Sequence, residues 1–70
     1  MNDEEMTKLR IRYYFSNPKK LHITTKKGTF YNGTILQLEN EDYFIFNDFK
    51  LGEVPIFYVE IKRVEAYTPK

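Results

Sequence analysis

The basic residues of this chain are the side chains whose type and placement could do chemistry, because they are segregated from the acidic ones. Residues 6–37 contain seven Lys or Arg and no Asp or Glu, whereas residues 38–70 contain four basic and seven acidic residues. The formal net charge of the whole chain is only +1. Such segregation can create an electropositive face for a polyanion. It can equally give a solvated surface whose opposite charges meet after folding or across a subunit contact.

Four of these cations form a candidate phosphate-binding set. Lys26 and Lys27 precede Gly28 in a turn, and Arg10 and Arg12 lie in the N-terminal segment. If folding brings them together, they make a track for phosphates that is independent of nucleotide sequence and strongly dependent on salt.

Three further residues, Asp42, Tyr43 and Tyr58, are candidate contacts to single-stranded RNA. Tyr43 follows the acidic stretch that ends at Asp42, and its ring could stack a base of single-stranded RNA. Tyr58 is either a base-stacking residue or an anchor of a protein interface.

Catalytic chemistry is not predicted. The chain has no cysteine and a single histidine, His22, so it offers neither a thiolate nor a cluster of metal ligands. The carboxylates show no spacing that pairs two of them beside a nucleophile. We therefore expect a protein that is not an enzyme and has no catalytic residue, metal, cofactor or small-molecule substrate.

The length of 70 residues predicts one domain, residues 1–70, that is marginal without oligomerisation or an unusually aromatic core. No apolar run exceeds four residues, so no membrane span is expected. The acidic start is unlike a secretory signal. The expected location is the cytoplasm.

The first element is predicted to be a helix over residues 2–16. Met6, Leu9 and Tyr13 recur at i, i+3 and i+7 and form an apolar stripe that must pack on the rest of the fold. The helix is expected to stop before Pro18, which forces the preceding residue out of the helical region.

Five strands are predicted in residues 19–68, from alternating apolar residues bounded by turn signals. They begin near Leu21, Thr29, Tyr43, Glu53 and Ile61. Gly33, in the middle of the second strand, predicts a bulge or sharp bend. The fold class expected is mostly β, with an N-terminal helix followed by a five-stranded, strongly bent antiparallel barrel of the SH3-like kind.

The order of these parts resembles the Sm-like superfamily, which includes Sm, LSm and Hfq proteins. The matching run is LHITTKKGTFYNGTI, with its turn glycine at Gly28, an aromatic residue at Tyr31 and the bend glycine at Gly33. Asp48 stands at the spacing of the family's acidic residue at the end of the next strand. Glycine and aromatic spacing of this kind also suits a monomeric SH3-like or OB barrel.

The resemblance implies a homo-oligomeric ring that binds single-stranded RNA, U-rich or A-rich, and acts as an RNA chaperone. In this family a loop that ends in Asn reads uridine, and the equivalent position here is Tyr43. The family's second cationic motif is replaced by Tyr58 and Val59. The alternative is therefore a protein-interaction or scaffold module on the same fold that has lost the uridine pocket.

The ring implied by the resemblance pairs the fourth strand of one subunit with the fifth strand of the next. The residues expected at that interface are the apolar ones of these two strands: Val54, Ile56, Phe57, Ile61 and Val64.

Overall fold

The computed structural model describes residues 3–67, which form one helix and one five-stranded antiparallel sheet. Helix α1 spans Asp3–Ser16, and the strands are β1 (Leu21–Thr25), β2 (Phe30–Leu38), β3 (Tyr43–Asp48), β4 (Gly52–Phe57) and β5 (Ile61–Ala66). A short 3-10 turn, Tyr58–Glu60, connects β4 to β5. The mostly β prediction and the order of elements are confirmed. Asn2, with which the predicted helix begins, lies outside the described residues.

The helix ends where the proline signal predicted. The N–H of Asn17 and its side-chain Nδ2 both donate to the carbonyl of Tyr13, at 2.9 and 3.1 Å. These bonds satisfy a carbonyl of the last turn, which has no intrahelical partner once the chain turns toward Pro18.

The sheet is open, and in this respect the predicted barrel is corrected. The strand order is β4-β3-β2-β1-β5, so β4 and β5 lie at opposite edges and do not pair with each other. The 3-10 turn carries the chain across the end of the sheet. There Tyr58 N–H donates to the Asp42 carbonyl at 3.0 Å, and Lys26 N–H donates to the Glu60 carbonyl at 2.8 Å. These two bonds direct β5 to β1 rather than back to β4.

Gly33 is required by a close approach of two strands and not by a bulge. A Cβ on Gly33 would overlap the carbonyl oxygen of Asn47 on β3 and lie 2.8 Å from its carbonyl carbon. The register shift between β2 and β3 comes later, between Ile35 and Gln37.

The core lies between the inner face of the sheet and α1. The buried apolar residues are Ile11, Leu21, Ile23, Phe44, Phe46, Ile56, Tyr58, Ile61 and Val64. The helix contributes Ile11 to this core, and Tyr14 packs against it. The predicted packing stripe is wrong, because Met6, Leu9 and Tyr13 are exposed. No helix within residues 3–67 is long and apolar enough to cross a membrane.

Candidate nucleic-acid interface

Helix α1 places Arg10 beside the outer edge of the sheet. Ile11 is fully buried and fixes the rotation of the helix, so the preceding residue lies next to β5. The Nη1 of Arg10 is 3.5 Å from the carbonyl oxygen of Val64, which holds the guanidinium near this strand.

Lys26 and Lys62 reach the same region through irregular backbone. The hydrogen bond from Lys26 N–H to the Glu60 carbonyl joins the β1–β2 turn to the start of β5. The register between β1 and β5 shifts there, with Thr24 opposite Arg63 but Thr25 opposite Ile61. Lys62 is therefore the extra residue of a bulge, which re-aims a side chain relative to a regular strand.

These cations line one groove between α1 and β5, which we call the basic groove. Its volume is about 530 Å³, and its cationic residues are Arg10, Lys26, Lys62 and Arg63. Asp3 and Glu4 lie among its lining residues on the helix. Two of the charges near the groove are in ion pairs, Glu4 with Lys8 at 3.5 Å and Arg63 with Glu65 at 3.8 Å. The excess of cations over carboxylates suits the groove to an anionic chain.

Sequence reasoning predicted half of this groove. Arg10 and Lys26 belong to the candidate phosphate-binding set and both line the groove, whereas Lys62 and Arg63 were not in that set. The feature of the sequence that could have identified Lys62 and Arg63 is that they are two consecutive cations in a strand. In a regular strand they would point to opposite faces, and only the bulge changes that. Lys27 is exposed in the turn and does not line the groove.

Arg12 lies in a different environment from Arg10. It lines a smaller depression of about 300 Å³ together with Lys8, Glu39 and Glu41. Carboxylates offset cations in this depression, so its attraction for a phosphate is weaker than that of the basic groove. Of the predicted four-cation track, Arg10 and Lys26 thus line the basic groove, Arg12 lines the smaller depression, and Lys27 lines neither.

Tyr58 is inaccessible to a base. Its residue is only 4 % exposed, and its ring lies 5.3 Å from that of Phe44 between centroids. The Nζ of Lys8 lies 5.6 Å from the Tyr58 ring, on the helix side. Burial raises the pKa of the Tyr58 hydroxyl, and the positive charge of Arg12 opposes this rise. Tyr58 therefore stabilises the packing of α1 on the sheet.

Tyr43 remains available as a stacking residue. It is half-buried, and its ring lies 5.1 Å from the ring of Phe57 on the neighbouring strand. The loop before it is held by Asn40, whose Oδ1 accepts hydrogen bonds from the N–H groups of Asp42 and Tyr43 at 2.7 and 3.1 Å. The Asp42 residue is exposed, so its carboxylate would repel a phosphate at this position.

The residues predicted for a subunit interface divide into two groups. Ile56, Ile61 and Val64 belong to the core of the single chain, so their side chains are not available for contact with another chain. Val54 is half-buried and packs against this core, and Phe57 is exposed at the outer strand β4.

A second exposed surface has a different character. Phe30, Phe49, Leu51 and Tyr67 surround a depression of about 580 Å³ and are all exposed. We call this surface the aromatic patch. The Nζ of Lys20 lies 5.8 Å from the centre of the Phe49 ring.

Within residues 3–67 no three His, Cys, Asp or Glu side chains are grouped closely enough to hold a metal ion. No protein-family model, curated protein or solved structure matches the chain.

Proposed function

We propose that the chain is a divergent Sm-like protein that binds single-stranded RNA in the cytoplasm, as a homo-oligomeric ring without catalytic activity. The observation that carries RNA binding is the basic groove. Four cations from α1, the β1–β2 turn and β5 converge there on one surface, although they are far apart in sequence. A polyanion gains affinity from such a surface mainly by releasing counterions.

The open sheet supports the ring. The outer sides of β4 and β5 lack a sheet partner within residues 3–67, and strand pairing between subunits would satisfy both. Pro55 lies opposite Ile45 in an unbroken register, although proline has no N–H to donate to β3. The position of the missing N–H therefore faces away from β3, toward the outer edge of β4. A partner strand at this edge loses one hydrogen-bond donor, so Pro55 limits the pairing between subunits.

The groove is tested by removing its charges. We expect the triple variant Arg10→Gln, Lys26→Gln and Lys62→Gln to bind oligo-U and oligo-A more weakly. The slope of log affinity against log salt should fall by about 2, since each phosphate contact to a single strand contributes ~0.7. Filter binding at several salt concentrations measures both quantities.

The matched control removes the same charge elsewhere. The variant Lys19→Gln, Lys20→Gln and Lys50→Gln changes three exposed lysines that do not line the groove. It should retain most of the affinity and most of the salt slope. Equal losses in the two triple variants would show that only net charge matters and would reject the groove as the binding site.

Stacking by Tyr43 gives a separate test on the same ligand. Tyr43→Ala should cost about 1–3 kcal/mol of RNA binding with an unchanged salt slope, as for a base-stacking contact. A salt slope that falls as much as in the groove variant would contradict stacking.

The second candidate is a protein-interaction module on the same fold, and the aromatic patch favours it. Four large apolar side chains exposed around one depression are typical of a protein-binding surface. If the unmodified chain does not bind RNA at about 50 mM salt, where electrostatic binding is strong, the result would favour the protein-interaction module over the RNA-binding protein.

A further inference from the structure

The apolar stripe on the outer face of α1 is the strongest feature that RNA binding does not explain. Met6, Leu9 and Tyr13 form one stripe along the helix and are 46 %, 49 % and 59 % exposed. Their exposure follows from the packing of Ile11 and Tyr14 on the opposite side of the helix. An amphipathic helix normally turns its apolar stripe toward the core, so this helix has a second apolar face without a partner in the described chain.

The charges along α1 are arranged so that two copies of the helix are complementary to each other when they are antiparallel. The first turn contains Asp3, Glu4 and Glu5, whereas Arg10 and Arg12 lie in the second half. Two copies of the helix side by side in the same direction would align acids with acids and cations with cations. Antiparallel copies instead set the acidic end of one against the basic half of the other, which is the favourable arrangement for both.

One register satisfies the apolar stripe and the charges together. In an antiparallel pair with its two-fold axis between positions 7 and 8, Met6 of each copy lies opposite Leu9 of the other. At 100° per residue, Glu5 and Arg12 flank the stripe on one side, and Asp3 and Arg10 flank it on the other. The pairing then brings Glu5 toward Arg12 of the second copy and Asp3 toward Arg10, on either side of the apolar contact.

We propose that the outer face of α1 is a self-association surface that binds α1 of a second copy in this antiparallel register. The contact is isologous, so each copy supplies the same residues and the pair closes on itself. It uses neither free edge of the sheet, but Asp3, Met6 and Arg10 also line the basic groove, so RNA bound there competes with it. Whichever species the sheet edges form, single chain or ring, the α1 contact joins two of them.

The size of the surface sets the expected strength. A helix of 14 residues is about 21 Å long, and three side chains cover much less area than a stable interface of ~1,600 Å². We therefore expect weak association of two single chains, with a dissociation constant of roughly 10–1,000 µM. Paired rings would bind more tightly because several helices would act together.

Sedimentation equilibrium over this concentration range tests the apolar stripe. As concentration rises, the smallest species of the unmodified chain should give way to a species of twice its mass. Leu9→Gln should raise the dissociation constant of this pairing at least tenfold. Leu36→Gln is the matched control, because Leu36 is similarly exposed, at 44 %, and lies on β2. Both variants should melt close to the unmodified chain, since neither leucine belongs to the core.

A charge exchange tests the antiparallel register. Glu5→Arg should bring two cations together across the contact, and Arg12→Glu should bring two carboxylates together, so each should weaken association. The double variant should restore it, because the same pair is then present with its signs reversed. A double variant that associates no better than the single variants would overturn the register.

Three further results would overturn the surface itself. The first is an unmodified chain whose mass stays constant to 1 mM, and the second is a Leu9→Gln variant that associates like Leu36→Gln. The third is co-sedimentation of a non-associating chain with vesicles of phosphatidylserine and phosphatidylcholine that Leu9→Gln abolishes. That result would assign the same face to a lipid surface.

Discussion

Among individual residues, Asp48 organises three local hydrogen bonds and does so without any role in the basic groove. Its Oδ1 accepts a bond from Asn32 N–H, and its Oδ2 accepts bonds from Lys50 N–H and Leu51 N–H, all at 2.9 Å. The carboxylate thus ties β2 to the β3–β4 turn. Burial raises the pKa of Asp48, but the bonds from Leu51, Asn32 and Lys50 outweigh it and hold the pKa below its usual value.

Asp48→Asn should lower the free energy of unfolding by about 2 kcal/mol, because an uncharged amide cannot replace a carboxylate that accepts three N–H groups. Since the folded pKa is depressed, the stabilisation by Asp48 is complete above the ordinary pKa of 3.8. It is lost as pH falls through the lower folded value. Urea denaturation of both chains from pH 7 to pH 3 measures this. A stability difference that is independent of pH would contradict it.

Gly33 is the second residue at which the local geometry predicts the effect of a substitution on stability. Gly33→Val should reduce stability by at least about 3 kcal/mol, since even its Cβ would overlap the Asn47 carbonyl on the paired strand. Gly28→Asn is the control: Gly28 has open space around it and a φ of 91°, a strained backbone that Asn tolerates better than most residues. Its loss should be about 1 kcal/mol. An unchanged melting temperature in Gly33→Val would show that the two strands do not approach this closely.

At the scale of elements, α1 has two apolar faces, and only one of them holds the helix to the sheet. Ile11 is fully buried, while Leu9, two residues earlier, is half exposed. The basic groove exists because the helix stands beside β5 in this rotation, which also covers Tyr58. Rotation of the helix that buried the Met6 stripe would remove Arg10 from the groove.

Alanine substitutions distinguish the two faces. Ile11→Ala should cost about 3 kcal/mol, because it leaves a cavity in the core. Leu9→Ala should change the free energy of unfolding by less than ~0.5 kcal/mol, as for an exposed position. Urea denaturation followed by circular dichroism compares them at a concentration below that of self-association. Equal losses of stability in the two variants would mean that the helix packs on the sheet through Met6, Leu9 and Tyr13.

At the scale of the whole molecule, the outer sides of the edge strands β4 and β5 have no sheet partner within residues 3–67. Strand β5 is paired with β1, so β4 and β5 lie at opposite ends of the strand order. Exposed strand edges promote association unless they are blocked, and here Pro55 blocks only one position of β4. The expected assembly is a closed ring of five to seven subunits, a number that follows from the Sm-like resemblance.

Because the chain has no cysteine, introduced thiols report this contact without background. Glu53 on β4 and Arg63 on β5 are both exposed. A mixture of Glu53→Cys chains and Arg63→Cys chains, treated with a short bismaleimide, should give mainly the mixed dimer. Native mass spectrometry should give five to seven subunits for the unmodified chain. A single-chain mass at 100 µM, with random cross-linking, would reject the ring.

The amino-acid sequence by itself determined the elements and most of their bounds. Period-two alternation defined the strands, and the Pro18 signal ended the helix, because these patterns act on the backbone within a few residues. Gly33 was recognised as special, with a bulge or a sharp bend as the expected reason, and the register shift lies not at Gly33 but between Ile35 and Gln37. The cause of the glycine requirement is the backbone of β3, which lies fourteen residues further along the chain.

What only the tertiary structure decided is which faces meet. Sequence periodicity favoured the three-residue stripe on α1, but the helix packs through Ile11 and Tyr14 because these fit the inner face of the sheet. The basic groove required a bulge at Lys62, and Tyr58 became buried because α1 covers it. The open sheet likewise followed from the pairing of β5 with β1. Each of these depends on contacts between segments distant in sequence, and a local pattern contains no information about its distant partner.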